Sequence, residues 1–454
     1  MKALKKSYYT IAIPLNNSAE EYFLIHGYTG AINIVPKVVG IVLSQEEPDI
    51  LHWNCSAEIL QQLIQRGFIT TKTSNEEINL ANKIANAVHL YQKQSYKKFY
   101  FLVNYDCNFR CPYCYENLIS NRGKGWSHQI MTKDTVNAAF NSLLEIEPNI
   151  DKHNKEIVLY GGEPLMECNL SIVSYIVEKG KSLGYSFSAI TNGYDLNLFA
   201  DLLGTEQINK IQITLDGDRT YHNKRRFHYQ KGGSFDKIIE NIQLALDKGV
   251  RVLVRSNVDY LNMDSVRQLV EKFRDLKFKE NPLFSFYPAM LKNNPNNVLD
   301  ETKVRNINFM NSDIFENIND EFNNNTGAYS DLILYALKNK KPLQLRPTFC
   351  GAQMGLYILD PHRNIYCCLE SVGIPKHIIG NYRNQLQWNE MYASWKMRNT
   401  STIPACQRCK FALICGGGCA AKIMHIGMNE AYCNNFSSVL QSNVRRAYCQ
   451  YMSI

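Results

Sequence analysis

From residue 98 onward the chain alternates short apolar runs with amphipathic stretches, and that alternation restricts its fold more than any other feature. The apolar runs are Phe99 to Tyr105, Glu156 to Tyr160, Ser186 to Thr191, Lys210 to Leu215, Arg251 to Val258 and Leu283 to Tyr287. Between them, helical periodicity covers Thr132 to Ile146, Leu170 to Leu183, Phe235 to Lys248 and Met263 to Leu276. Repeated strand–helix units predict parallel strands with helices outside, an α/β partial (β/α)6 TIM-like barrel. In such barrels chemistry gathers at the carboxyl ends of the strands.

The 454 residues exceed what one core usually organises, so flanking domains are expected. Residues 1–94 carry strand patterns (Tyr9 to Pro14, Tyr22 to His26, Ala31 to Val35) and then helical ones (Ala57 to Gly67, Glu76 to Gln94). They predict a small N-terminal α+β domain that resembles winged-helix peptide-recognition domains, with the barrel over 95–330. Asn293 to Asn325 is rich in Asn and Asp and predicts a polar, partly helical connector. In the final segment, 331–454, Cys, Gly and Pro come to dominate, so metal clusters are expected to help hold it.

The opening MKALKKSYYTIAIPL has no small-residue cleavage site and is read as a first strand; no apolar run is long enough to span a bilayer. A cytoplasmic protein without membrane contact is expected. The formal charge of +8 is dispersed, which argues against nucleic acid as a partner. Cys55, Cys168 and Cys449 stand alone among fourteen cysteines, and the other eleven fall at 107–114 and 350–433. Without an export signal, that grouping points to metal ligation in a reducing compartment rather than disulfides.

The first group, Cys107-Asn108-Phe109-Arg110-Cys111-Pro112-Tyr113-Cys114, follows the first barrel strand directly. Three thiolates in one loop can ligate three irons of a cubane cluster and leave the fourth open. After the second strand comes Gly161-Gly162-Glu163-Pro164, whose glycines permit close backbone approach and whose carboxylate can accept from an ammonium group. Further strands end in Thr191-Asn192-Gly193, Thr214-Leu215-Asp216-Gly217 and Arg255-Ser256-Asn257. Turn formation before glycine is the alternative role for Asn192 and Asp216.

The spacing of the three cysteines, with Tyr113 before the last, resembles the signature of the radical S-adenosylmethionine (SAM) superfamily. The resemblance implies that Cys107, Cys111 and Cys114 hold a catalytic [4Fe-4S] cluster. It also implies that the segment Gly161, Gly162, Glu163, Pro164 meets the methionyl amino group of S-adenosylmethionine. The run QITLDGDRTYHNKRR resembles the matching strand of radical SAM peptide-modifying enzymes, which carries Thr214 and Arg226 over as contacts to the cofactor's ribose and carboxylate. Tyr113, Asn192, Asp216, Arg255 and Asn257 are expected on the cofactor's side of the site.

Cys406, Cys409, Cys415, Cys419 and Cys433 resemble the SPASM extension, which binds two auxiliary [4Fe-4S] clusters, making three in all. The resemblance gives Cys406, Cys409, Cys415 and Cys433 to the outer cluster and Cys350, Cys368 and Cys419 to the inner one. The chain departs from the pattern at Arg363, where the family commonly has glycine, and Cys367 competes with Cys368. A zinc ribbon is the plainer alternative for CxxC pairs. In sulfatase-maturing relatives an Asp base follows an auxiliary-cluster cysteine, whereas Leu369 and Glu370 follow Cys368 here.

Together these resemblances imply a maturase of a ribosomally made peptide, forming a thioether or carbon–carbon crosslink. Its partners would be a precursor peptide with a leader and a low-potential electron donor such as flavodoxin or ferredoxin. Peptide epimerisation, with Cys367 as a candidate hydrogen donor, and sulfatase-type maturation are the alternatives within the class. A non-enzymatic iron–sulfur or zinc scaffold is the alternative outside it.

Overall fold

The computed structural model describes residues 3–15, 20–114, 124–291, 329–424, 426–433 and 435–453. The connector expected at Asn293 to Asn325 lies outside them. The chain divides into two compact units: one joins Met1–Ser95, Asn325–Gly355 and Ala393–Ile454, the other Tyr96–Asn324 and Leu356–Tyr392. The N-terminal segment and the cysteine-rich tail therefore share one unit.

That unit begins with a short ladder of β1 (Lys5–Lys6) against β5 (Ile69–Thr70). β2 (Thr10–Pro14), β3 (Glu21–His26) and β4 (Ile32–Pro36) form an antiparallel sheet in that order. Helices α1 (Lys37–Ser44), α2 (Ala57–Gln65) and α3 (Ser74–Lys93) follow. Ser56 caps α2 by accepting from the Ile59 N–H, and Thr73 and Glu76 close a reciprocal capping box on α3. The alternation of β2 and β3 splits the apolar residues between two cores. Leu24 and Val35 pack with Val39, Leu43, Leu63 and Phe68 on one face.

The second unit holds the barrel. Strands β6 (Lys97–Leu102), β7 (His153–Tyr160), β8 (Ser186–Thr191), β9 (Ile208–Thr214), β10 (Arg251–Val258) and β11 (Phe284–Met290) pair in parallel and in sequence order. Helices α4 (Lys133–Ile146), α5 (Leu170–Ser182), α6 (Arg219–Arg225), α7 (Phe235–Asp247) and α8 (Met263–Asp275) run between them. Phe273 of α8 meets Phe284 and Phe286 edge-on, which fixes the outer face of β11. The partial α/β barrel expected from the alternation is thus observed. β6 stops at Leu102, short of the Tyr105 expected, because the chain there turns into the cysteine loop while Val103 N–H still donates to Tyr160 (2.8 Å).

Sequence periodicity did not reveal β12 (Leu356–Leu359), β13 (Asn364–Tyr366), β14 (Gly380–Tyr382) and β15 (Leu386–Trp388). β12 lies parallel to β6 and extends the sheet to ten strands, with an antiparallel meander beyond it. In the first unit, α9 (Tyr329–Lys338) and α10 (Phe436–Met452) close the second face of the N-terminal sheet. There Ile11, Ile13, Phe23 and Ile25 share a core with Ile333, Ile414, Leu440 and Val444.

Candidate active site and cysteine-rich tail

The loop after β6 and the loop after β7 are laced through their backbones. Gly162 N–H donates to Asn104 O (3.1 Å) and Glu163 N–H to Asp106 O (2.8 Å). A Cβ on Gly161 would lie 2.4 Å from Asn104 O, at φ 154°, and one on Gly162 would lie 2.1 Å from Asp106 O. Both glycines are therefore required by the approach of the cysteine loop itself. Asn169, unremarkable in the sequence, locks the same turn by donating to the Glu163 (3.0 Å) and Pro164 (3.1 Å) carbonyls.

Glu163 is buried and joins two strand ends. Its Oε1 accepts from Thr191 Oγ1 (2.6 Å) and Leu165 N–H (2.8 Å), and its Oε2 from Asn192 N–H (2.5 Å). Burial pushes its carboxyl pKa up to about 7, against the pull of those donors. Asn192 serves two purposes. Its Oδ1 accepts from Tyr194 N–H (2.9 Å), the turn-forming role, while its amide donates to Asn108 Oδ1 (2.7 Å) inside the cysteine loop. Asn108 in turn donates to Asp195 (3.0 Å), a residue not singled out from the sequence.

Cys111 is buried, and Cys107 and Cys114 are half-buried in the same loop. Burial raises the thiols of Cys107 and Cys111 above their ordinary range, and Arg226 opposes the effect at Cys111. The aromatic within the motif anchors a buried polar knot. Tyr113 Oη donates to Asp216 and accepts from Arg226 Nη1 (2.8 Å) and Asn257 Nδ2 (3.2 Å). Asp216 also accepts from Asn257 N–H (3.0 Å). Arg225 lies over the Tyr113 ring (4.9 Å) and is held by Asp259 (2.8 Å). Four sequence-predicted residues, Tyr113, Asp216, Arg226 and Asn257, are thus brought together, with Arg225 and Asp259 as supports that the motifs did not disclose. Thr214 and Arg255 face one another in register on β9 and β10, and Arg255 Nε is buried without a hydrogen-bond partner. Arg226 Nε is likewise unpartnered, leaving donors of both arginines for a ligand.

The tail thiols fall into two sets. Cys406 feels Cys409, Cys415 and Cys433, and Cys415 feels Cys409 and Cys433; burial raises Cys406 to about 12 and Cys415 to about 11. Burial raises the Cys350 thiol above its ordinary range, and the neighbouring Cys419 raises it further by like-charge repulsion. Gly416, Gly417 and Gly418 follow one another at φ 78°, 78° and 76°, and a Cβ on Gly418 would fall 1.9 Å from Tyr432 O. Only glycines can shape this cradle. Cys368 and buried Cys367 belong to the barrel unit, whereas Cys350 and Cys419 belong to the other. Among the described residues no three His, Cys, Asp or Glu side chains converge as ligands of one metal ion. The donor sets nevertheless suit thiophilic clusters, whose ligands are distributed over several irons.

Residues 102–276 match the radical SAM superfamily model. The cysteine-type anaerobic sulfatase-maturating enzyme of Clostridium novyi (strain NT) is 23% identical over 372 residues, 75% of this chain and 93% of that protein. Native anSMEcpe, solved with bound AdoMet and Kp18Cys peptide, superposes with a TM-score of 0.55 at 18% identity, covering 79% of this chain and 99% of that one. Streptococcus suis SuiB bound to S-adenosylmethionine gives a TM-score of 0.50 at 13% identity, covering 94% and 98%. Among the described residues no helix is long and apolar enough to cross a membrane.

Proposed function

The chain is a radical SAM enzyme, its catalytic domain lying over residues 102–276, and from that premise we propose that it modifies a ribosomally made precursor peptide. The carrying observation is the convergence of the cysteine loop, Glu163 and the Tyr113 knot at the strand ends of one barrel. When bound, the cluster and S-adenosylmethionine supply a carbon-centred radical able to take a hydrogen atom from a substrate side chain.

The residues supply position and dryness. Cys107, Cys111 and Cys114 hold the cluster. Glu163 accepts from the cofactor's ammonium group, and Gly161, Gly162 and Pro164 shape that cradle together with Asn192. Arg226, Thr214, Arg255, Asp216, Asn257 and Tyr113 take the carboxylate, ribose and adenine side. In this reading Cys406, Cys409, Cys415 and Cys433 would hold an outer auxiliary cluster, and Cys350 and Cys419 would serve an inner one. An auxiliary cluster held by those thiols would supply an acceptor for the electron released as a thioether or carbon–carbon crosslink forms. A low-potential flavodoxin or ferredoxin would be the electron donor.

The N-terminal domain is assigned to leader binding. β4 is an edge of its sheet, and beside it lies a cavity of about 320 Å³ lined by Ile32, Asn33, Ile34, Arg66, Lys340 and Lys341. An extended acidic leader would add a strand there, its backbone pairing with β4 beyond the Ile32 carbonyl that Arg66 already holds (2.6 Å) and its carboxylates meeting Lys340 and Lys341. Likeness to the Clostridium novyi enzyme favours sulfatase-type maturation as a second reading, but Leu369 and Glu370 supply no Asp after Cys368.

The test is anaerobic incubation of iron-loaded protein with reductant, S-adenosylmethionine and a co-expressed candidate peptide. Release of 5′-deoxyadenosine with a product lighter by two hydrogens is expected for crosslinking; unchanged mass with inverted stereochemistry would instead identify an epimerase. Absence of nucleoside release would refute the assignment.

A further inference from the structure

Arg398 is 3% exposed, and among the described residues it has no carboxylate partner. Backbone carbonyls hold it instead. Nε donates to Met428 O (2.9 Å), Nη1 to Gly418 O (3.3 Å), and Nη2 to Gly417 O (3.1 Å) and Glu430 O (2.8 Å). Two of those carbonyls belong to the glycine cradle before Cys419, and the other two to the chain leading to Cys433. The guanidinium is therefore fixed by the segments that carry the tail thiols.

Its electrostatic neighbours are themselves thiols: Cys406 and Cys415 of one set, and Cys350 and Cys419 of the other. A second buried cation, Lys396, acts on Cys350 and donates to Ala352 O (3.0 Å). Burying an uncompensated guanidinium is costly, and four carbonyl dipoles offset only part of that cost. Full compensation requires negative charge nearby, which thiolate-ligated clusters carry and neutral thiols do not.

We propose that Arg398 is a positioning residue and a fixed positive charge shared by two auxiliary iron–sulfur sites, raising the reduction potential of each. The inference rests on the reading of the tail as cluster-binding. Reduction adds one electron to an already anionic cluster, so a cation held in a dry pocket stabilises the reduced form more than the oxidised one. The electron leaving the substrate radical then passes more readily to the tail. The guanidinium fork also ties the glycine cradle to the loop before Cys433, which a simple point charge does not do.

The test compares wild-type holoprotein with Arg398→Gln and Arg398→Lys by EPR-monitored redox titration, iron content and thermal melting. For Arg398→Gln, an auxiliary cluster is expected to become at least tenfold harder to reduce at a given ambient potential, 59 mV for a one-electron couple. Arg398→Lys is expected to keep the wild-type potential but melt lower. Wild-type protein without auxiliary clusters would remove the underlying reading and this proposal together. Auxiliary clusters present with potentials unchanged in Arg398→Gln, or shifted equally in both variants, would overturn the proposal alone. If Arg398→Gln fails to hold iron, Arg398→Lys decides: an unchanged potential with lowered melting supports the charge role, and a tenfold shift refutes it.

Discussion

Glu163 illustrates how one side chain can serve both structure and ligand. Its carboxylate receives three donors from the ends of β7 and β8. Glu163→Gln places an amide NH2 among groups that are themselves donors, so at least one loses its acceptor. About 2 kcal/mol of local stability should be lost, and S-adenosylmethionine should bind at least tenfold more weakly. Equilibrium dialysis of the holoprotein and a melting curve check both. Tyr113→Phe removes the hydroxyl that joins Asp216, Arg226 and Asn257 and should cost about 1–3 kcal/mol, measured by urea denaturation. Motif spacing exposed Tyr113, Glu163 and Asp216 because chemistry restricts residue type there. Asp195, Arg225 and Asp259 escaped notice, since their partners are far away in sequence and nothing local marks a long-range hydrogen bond; Asn169 reaches only back to Glu163 and Pro164, but a single Asn beyond the motif belongs to no spacing that would single it out.

At the scale of elements, alternation along the chain disclosed the six parallel strands because each buries one face against a helix and must be apolar there. The meander β12–β15 was missed: three of its strands have only three residues, too few for a period to register. Helix α10 was missed although Leu440, Val444 and Ala447 recur at helical spacing, because Ser, Asn, Arg and Gln outnumber them. The Gly416–Gly418 turn supplies an element-level prediction. Gly418→Ala should displace the chain near Tyr432 and reduce bound iron by about four atoms per molecule, read by metal analysis. The N-terminal sheet supplies another. His26 is buried between Ser7 and Thr29 hydroxyls, and burial lowers its pKa to about 4 from an ordinary 6.5. The unfolded chain takes up the proton first. Stability should therefore be full above pH 6.5 and fall as pH drops toward 4, by up to roughly 3 kcal/mol. Urea midpoints at pH 7.5 and pH 5 measure it, and His26→Gln should flatten the difference.

For the whole molecule, the decisive fact is that residues from both ends of the chain build one unit. Removing residues 1–94 takes away Ile11, Ile13, Phe23 and Ile25 and bares the apolar sides of Ile414, Leu440 and Val444. Such a truncation should lose tail iron as well as peptide modification, so it cannot isolate leader binding. Charge reversal at Lys340 or Lys341 beside β4 is the cleaner probe, expected to weaken acidic-leader binding at least tenfold while leaving iron content unchanged. The same union of ends governs how the protein is made. During synthesis the β2–β4 sheet leaves the ribosome with one greasy side uncovered, and its cover arrives only after some three hundred further residues have been translated. The nascent chain must shelter that side in the meantime, which makes holding chaperones a determinant of yield and cold, slow expression the favourable condition.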